Sequence, residues 1–243
     1  MGYADDYNFV CLLEGYQEQI LKHAPAILDK WSLKMNIRKT EKTILFKKYE
    51  DWKDVKKLGS LIDCQADVQH QIAIAKSAFN HLWKFWKEKY PLKERLCIRF
   101  YHVFIQPILL YNCSTCGLSK VSLKRIRACN CTFLCQAIGI HWPQKIRSPK
   151  LYQITKTKPL AEKIFTARWN CFAKILQMDI TTPAVVHTRQ YFIRQSNQCA
   201  KWSGRSNSNL ITTIIDDLKS IGHQLINVNN FDQLIELARE PKQ

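Results

Sequence analysis

Between Glu14 and Trp31, apolar residues fall at Ile20, Leu21, Ile27, Leu28 and Trp31, the spacing of a helix with one apolar face. Pro25 predicts a kink or a break within it. Ahead of that helix, aromatic and β-favouring residues from Gly2 to Cys11 flank Asp5-Asp6, the pattern of a hairpin with the acids at its tip. Thr43 to Phe46 predicts a short strand, and Val55 to Ile62 a turn-rich extended segment around Gly59. From Val68 the pattern becomes helical, with a stripe at Ile72, Ala75, Phe79, Leu82, Trp83 and Trp86. Pro91 opens a second helix, whose Leu96, Phe100, Val103 and Phe104 lead to a kink at Pro107. A third helix starts near Ser122 and carries Leu123, Ile126, Phe133, Leu134 and Ala137 on one side. Pro143, Pro149 and Pro159 punctuate a basic connector, followed by a fourth helix over Leu160 to Met178. Ser203 to Asn209 reads as a loop, and short helices are expected over Leu210 to Ile221 and Asn230 to Ala238. The expected fold class is therefore an α+β start followed by a mainly α remainder, with the change near residue 62.

Charge changes the picture more than composition does. Hydrophobic residues make up 46% of the 243, a globular proportion, and only 7 are glycine, which argues against a turn-rich all-β protein. Lys and Arg number 37 against 20 Asp and Glu, a formal net charge of +17. Such an excess favours a polyanion, and nucleic acid first, because phosphate neutralisation releases counterions. No apolar run approaches the ~20 residues of a transmembrane helix. The start, Met1-Gly2-Tyr3-Ala4-Asp5-Asp6, lacks the basic and apolar stretches of a signal peptide, and Asp6 stands where a myristoylation site has Ser or Thr. The expected location is thus intracellular, in nucleus or cytoplasm, with the 10 cysteines as thiols or metal ligands rather than disulfides.

The order of three segments is more specific. Tyr3-Ala4-Asp5-Asp6 is followed, after one helix, by Leu33-Lys34-Met35-Asn36-Ile37-Arg38-Lys39-Thr40-Glu41 and then by Val55-Lys56-Lys57-Leu58-Gly59-Ser60. In this order and spacing they resemble the last palm motifs of reverse transcriptases from LINE-type (non-LTR) retrotransposons. Asp67 to Trp86 is similar to the first helix after the palm in that family. Val103 to Tyr111 resembles its Pro-x-Leu-Leu-Tyr segment. Phe133 to Trp142, Ala167-Arg168-Trp169 and Gly204-Arg205 echo weaker positions. The resemblance implies a partial palm over 1–62, a helical thumb-like region over 63–142, and a basic connector with C-terminal helices over 143–243.

It also implies chemistry. Nucleotidyl transfer uses two Mg²⁺ ions about 3.5–4 Å apart, and Mg²⁺ takes hard oxygen ligands. By resemblance, Asp5 is the principal carboxylate ligand and Asp6 a supporting one. Tyr3 lies near the primer end, Lys39 assists the leaving group, and Leu58-Gly59 grips the primer backbone. The family's other palm aspartate and its fingers lie upstream of Tyr-Ala-Asp-Asp and have no counterpart in these residues, so polymerase activity by this chain alone is not expected. The expected partners are RNA and DNA as a template–primer duplex, with no membrane.

Other signals are weaker. Cys113-x-x-Cys116, with Cys129, Cys131, Cys135 and His141 downstream, invites a zinc reading. No second Cys-x-x-Cys follows, and Cys129 and Cys131 are poorly spaced to act together on a helix, so thiols are favoured over zinc. Trp83 to Tyr90 interleaves aromatics with Lys84, Lys87 and Lys89; it either stacks bases or forms a core stripe with a solvated basic face. Lys120, Lys124, Arg125 and Arg127 cluster at a helix start, where they either track a duplex backbone or form a solvated end. The alternative to polymerase ancestry is a non-catalytic basic helical protein that binds nucleic acid.

Overall fold

The computed structural model describes residues 2–3, 6–7, 9, 11, 15–43, 51–87, 94–141, 143–196, 210–220 and 230–239. The chain forms two compact units, Met1–Phe46 and Lys47–Gln243.

In the first unit, strands β1 (Gly2–Tyr3) and β2 (Asp6–Tyr7) pair antiparallel, with Tyr3 opposite Asp6. The expected hairpin is present, with Asp6 paired at the end of its second strand nearest the turn. Asp6 belongs to the ladder, and Asp5 lies outside the described residues. Helix α1 spans Gly15–Asp29 and runs past Pro25 without ending there. Only Ala24 is buried along it, while Leu21, Ile27 and Trp31 of the predicted apolar face are exposed. The Asn36–Thr40 stretch makes a single 3₁₀ turn at Ile37–Lys39, closed by Thr40 Oγ1 donating to the Asn36 carbonyl at 3.0 Å. The predicted strand over 43–46 lies almost wholly outside the described residues, as does the loop over 203–209.

The second unit begins with a 3₁₀ turn (Asp51–Asp54) and a small hairpin, β3 (Lys56–Lys57) and β4 (Ser60–Leu61). Every regular element after it is helical among the described residues. Helix α2 spans Cys64–His81 and is capped by Asp63, whose carboxylate accepts from the Ala66 N–H at 2.8 Å. Helices α3 (Trp83–Lys87) and α4 (Glu94–Phe100) follow, then a π-helical turn over Tyr101–Ile105 and α5 (Gln106–Leu109). The kink predicted at Pro107 takes this form: widening the turn before the proline absorbs the hydrogen bond its ring nitrogen cannot donate. Helix α6 (Lys120–Ala137) is capped by Ser119. The proline-punctuated connector contains an unexpected helix, α7 (Ser148–Thr155), and α8 follows at Leu160–Leu176. A second unexpected helix is α9 (Pro183–Ser196). Helices α10 (Leu210–Ser220) and α11 (Asn230–Arg239) stand where periodicity predicts them. The molecule is mainly α, with two separate two-stranded ribbons among the described residues.

Two apolar cores lie within this unit. In the first, Val68, Ala75 and Phe79 of α2 meet Tyr101, Ile105 and Leu109, Ile126, Phe133 and Leu134 of α6, and Leu160 and Ile164 of α8. Phe79 is sandwiched between Trp86 and Phe133, with ring centroids 5.0 and 4.7 Å away. A polar link crosses this core: Tyr101 Oη donates to Asn130 Oδ1 at 2.7 Å, which satisfies two groups that are both buried. The second core joins Phe172 and Leu176 of α8 to Val185 and Phe192 of α9, Ile211, Ile214 and Leu218 of α10, and Phe231 and Leu234 of α11. Helix α8 thus contributes to both. At its midpoint Arg168 is 1% exposed, with Nε directed at the Cys113 carbonyl at 3.4 Å and Nη1 bound to Asp217 Oδ2 at 2.7 Å. One guanidinium ties a loop of the first core to a helix of the second.

Candidate nucleic-acid interface

Leu58 and Gly59 form the two-residue turn of the β3–β4 hairpin. Both have positive φ, +50° and +81°. Two consecutive left-handed residues are what a tight hairpin needs to match strand twist, and Gly supplies that backbone without a Cβ clash whereas Leu does not. The strained turn is fastened from three directions. Tyr111 Oη donates to the Leu58 carbonyl, and the same ring lies over Gly59, its Oη 3.5 Å from where a Cβ would sit. Gln71 Nε2 of α2 donates to the Gly59 carbonyl at 3.4 Å. Buried Asp67, also on α2, accepts from the Leu61 N–H at 2.9 Å. Leu58 itself stays 51% exposed, and Lys56 and Lys57 beside it are exposed too. An exposed, rigid, basic turn is suited to touching a phosphate backbone.

Tyr111 is held in turn by its own loop. Asn112, at φ +58°, redirects the chain after α5, and its amide donates to the Cys116 sulfur at 3.6 Å. The Cys113 thiol points back to the Leu109 carbonyl at 3.8 Å, and burial pushes its pKa up to about 11. The Cys113-x-x-Cys116 spacing therefore does not turn two thiols toward one point. Cys131 meets the Ser148 and Tyr152 hydroxyls instead. Among the described residues, no group of three or more His, Cys, Asp or Glu side chains is arranged to hold a metal.

Helix α6 carries Lys120, Lys124, Arg125 and Arg127, all exposed, on the side away from buried Ser122, Ile126 and Asn130. No acidic residue occurs anywhere in the helix. Lys120, in the first turn, opposes the positive end of the helix dipole, and the four cations together strengthen the local attraction for an anion.

The Trp83–Tyr90 segment divides between its two readings. Trp86 turns into the first core, its indole N–H donating to the Phe79 carbonyl at 3.1 Å. Trp83, Lys84 and Phe85 face outward. Phe85 continues into a row of rings with Phe100 and Phe104, at centroid separations of 6.1 and 5.9 Å. Lys87 ends α3 with its side chain outside the described set, as are residues 88–90.

Tyr3, Asp6 and Lys39 fall in the first unit. The backbones of Tyr3 and Asp6 pair in the small hairpin, and Lys39 is exposed at the end of its 3₁₀ turn. Reasoning from sequence missed Tyr111, Asp67 and Gln71 as holders of the Leu-Gly turn. Gly59 was the available signal, since a glycine between short extended segments marks a tight left-handed turn or a close neighbour.

No family model, no curated protein and no solved structure matches the chain. Among the described residues, no helix is long and apolar enough to cross a membrane.

Proposed function

We propose that the chain is a transposon-derived piece of a LINE-type reverse transcriptase, comprising the end of the palm and a helical thumb, and that it holds RNA–DNA duplex through backbone phosphates without polymerising alone. One observation carries the reading. The Leu58-Gly59 turn and the segment ending in Tyr111 are each picked out by the family resemblance, at positions far apart in sequence, and they touch directly through the Tyr111–Leu58 hydrogen bond. Two motifs that depend on each other physically support common descent better than either does alone.

The parental reaction is RNA-templated DNA synthesis with Mg²⁺. Asp5 and Asp6 are the ligands the resemblance assigns, and Lys39 the leaving-group assistant. Two adjacent carboxylates are too few to seat two octahedral ions and a triphosphate. The exposed bases of α6 and the Lys56-Lys57 strand supply the phosphate contacts.

The test is primer extension on an RNA template, with duplex binding measured in parallel. Binding without incorporation is expected. Incorporation that disappears in Asp5→Ala overturns the claim of inactivity, and absence of any hybrid binding at low salt overturns the thumb reading. A second reading, a basic helical module with no polymerase ancestry, is favoured by α6 alone, whose four cations need no palm to attract a phosphate backbone.

A further inference from the structure

Tyr101 and Ile105 point into the first core, which leaves Val103 and Phe104 outside it, both more than half exposed. Phe104 stacks on Phe100 at a centroid separation of 5.9 Å and an interplanar angle of 25°, and Phe100 meets Phe85 of α3 at 6.1 Å. Phe100, between them, is half-buried, whereas Phe85 and Phe104 are each 51% exposed. Trp83 and Leu96 are exposed on the same two helices. Scattered apolar side chains are normal on a surface; exposed rings in contact with one another form a patch, and patches mark interaction sites.

The charge around the row says what kind of partner fits. Lys84 precedes Phe85, and Arg95 and Arg99, four apart, form the ridge beside Leu96 and Phe100 on α4. All three cations are exposed, and Glu94 is the one carboxylate in these two helices. A second copy of the chain would bring another net charge of +17 to this face and is repelled. An apolar protein groove would accept the rings and leave three cations unanswered. A polyanion that carries flat apolar faces satisfies both.

We propose, building on the nucleic-acid reading above, that the Phe85–Phe100–Phe104 row is a stacking platform for single-stranded RNA, with one base on Phe85, one on Phe104, and Lys84, Arg95 and Arg99 against the phosphates.

The ring geometry calls for an unpaired strand. A duplex hides the faces of its bases against one another, about 3.4 Å apart along each strand. It offers a protein only backbone and groove edges. The rings here are spaced wider than that repeat, so bases on the two outer rings are parted from each other. An unpaired strand allows this, and aromatic side chains take its splayed bases. In the proposed template–primer the unpaired strand is the RNA template. Phe100 is the spacer that keeps the outer rings apart and takes no base itself. Every base has a face to stack, so little sequence preference is expected.

The experiment uses the whole chain. Binding to a short single-stranded RNA carrying 2-aminopurine is measured beside binding to the RNA–DNA hybrid, for the wild type and for Phe85→Leu with Phe104→Leu. Leucine keeps the apolar bulk and removes the flat face. The wild type should bind the RNA and quench the 2-aminopurine fluorescence, as stacking does. The double variant should bind the RNA about tenfold more weakly or worse, with quenching lost. Its hybrid affinity and thermal melt should match the wild type. Phe85→Leu alone, which leaves the Phe100–Phe104 pair intact, should show a smaller loss of the same kind. Equal RNA affinity and quenching in wild type and double variant overturn the platform. So does tighter binding of a DNA oligomer of the same sequence, or binding to phosphatidylserine vesicles that the variant loses while its RNA binding persists. Stacking on RNA without any hybrid binding would leave the platform standing and remove the duplex reading; hybrid binding without stacking would do the reverse.

Discussion

The Tyr111 hydroxyl donates to the carbonyl of Leu58, 53 positions away, and pins a left-handed backbone turn that Leu58 would otherwise resist. Removing only the hydroxyl isolates this bond. Tyr111→Phe should destabilise the protein by about 0.5–1.5 kcal/mol in urea denaturation. Gly59→Ala should cost about 1–2 kcal/mol from the backbone alone, because its φ of +81° suits only glycine. A neutral Gly59→Ala would show that the turn relaxes and that the Tyr111 clamp does not hold it.

Arg168 is the second junction. Its guanidinium is buried between two cores and answered by Asp217, whose side chain is 26% exposed. One arm, Nη2, has no partner among the described residues. Asp217→Ala leaves the charge unanswered and should cost about 2–4 kcal/mol. Arg168→Met with Asp217→Leu should recover most of that loss, since apolar replacements remove both desolvated charges together. Equal losses in the single and double variants would show that the hydrogen bond to the Cys113 carbonyl, rather than the ion pair, joins the cores.

His102 gives stability a pH dependence with a definite sign. Burial, its largest influence, lowers its pKa from the usual 6.5; the hydrogen bond to Gln106 opposes this and the Lys163 ammonium reinforces it. The unfolded chain therefore takes up the proton first as pH falls. The contribution is complete above about 6.5 and is lost on acidifying through that range. The urea midpoint should drop between pH 8 and pH 5.5, and His102→Gln should drop less. Parallel profiles for the two proteins would assign the loss to other groups.

The long helices were legible because their apolar stripes are regular: Ala75 and Phe79 in α2, Ile126 and Phe133 in α6, and Ile211, Ile214 and Leu218 in α10 are buried where periodicity places them. Helices α7 and α9 were not, for a shared reason. Each carries a proline in its first turn, Pro149 and Pro183, where proline fits a helix start; in the sequence Pro149 reads as punctuation of a connector, and no helix is expected at Pro183. In α9 the buried Val185 and Phe192 are diluted by His187, Arg189 and Gln190. The hairpin around the Asp-Asp pair was legible, and its register sets Asp6 opposite Tyr3. The candidate surface was half legible. Exposed bases on α6 follow from spacing, whereas Tyr111 over Gly59 arises only when distant segments pack. Arg168 was the least visible, since an arginine in a basic chain reads as surface until a buried partner is found.

The central claim, that this chain grips duplex through phosphates with α6 as part of the grip, is tested most directly by a salt titration. Affinity for an RNA–DNA hybrid should be measured for the wild type and for a variant carrying Lys120→Gln, Lys124→Gln, Arg125→Gln and Arg127→Gln. Log affinity should fall linearly with log salt in both proteins. The variant's slope should be shallower by about 0.9 for each phosphate it no longer neutralises, with little dependence on duplex sequence. Identical slopes for the two proteins, or a wild-type affinity that salt does not change, would contradict the account.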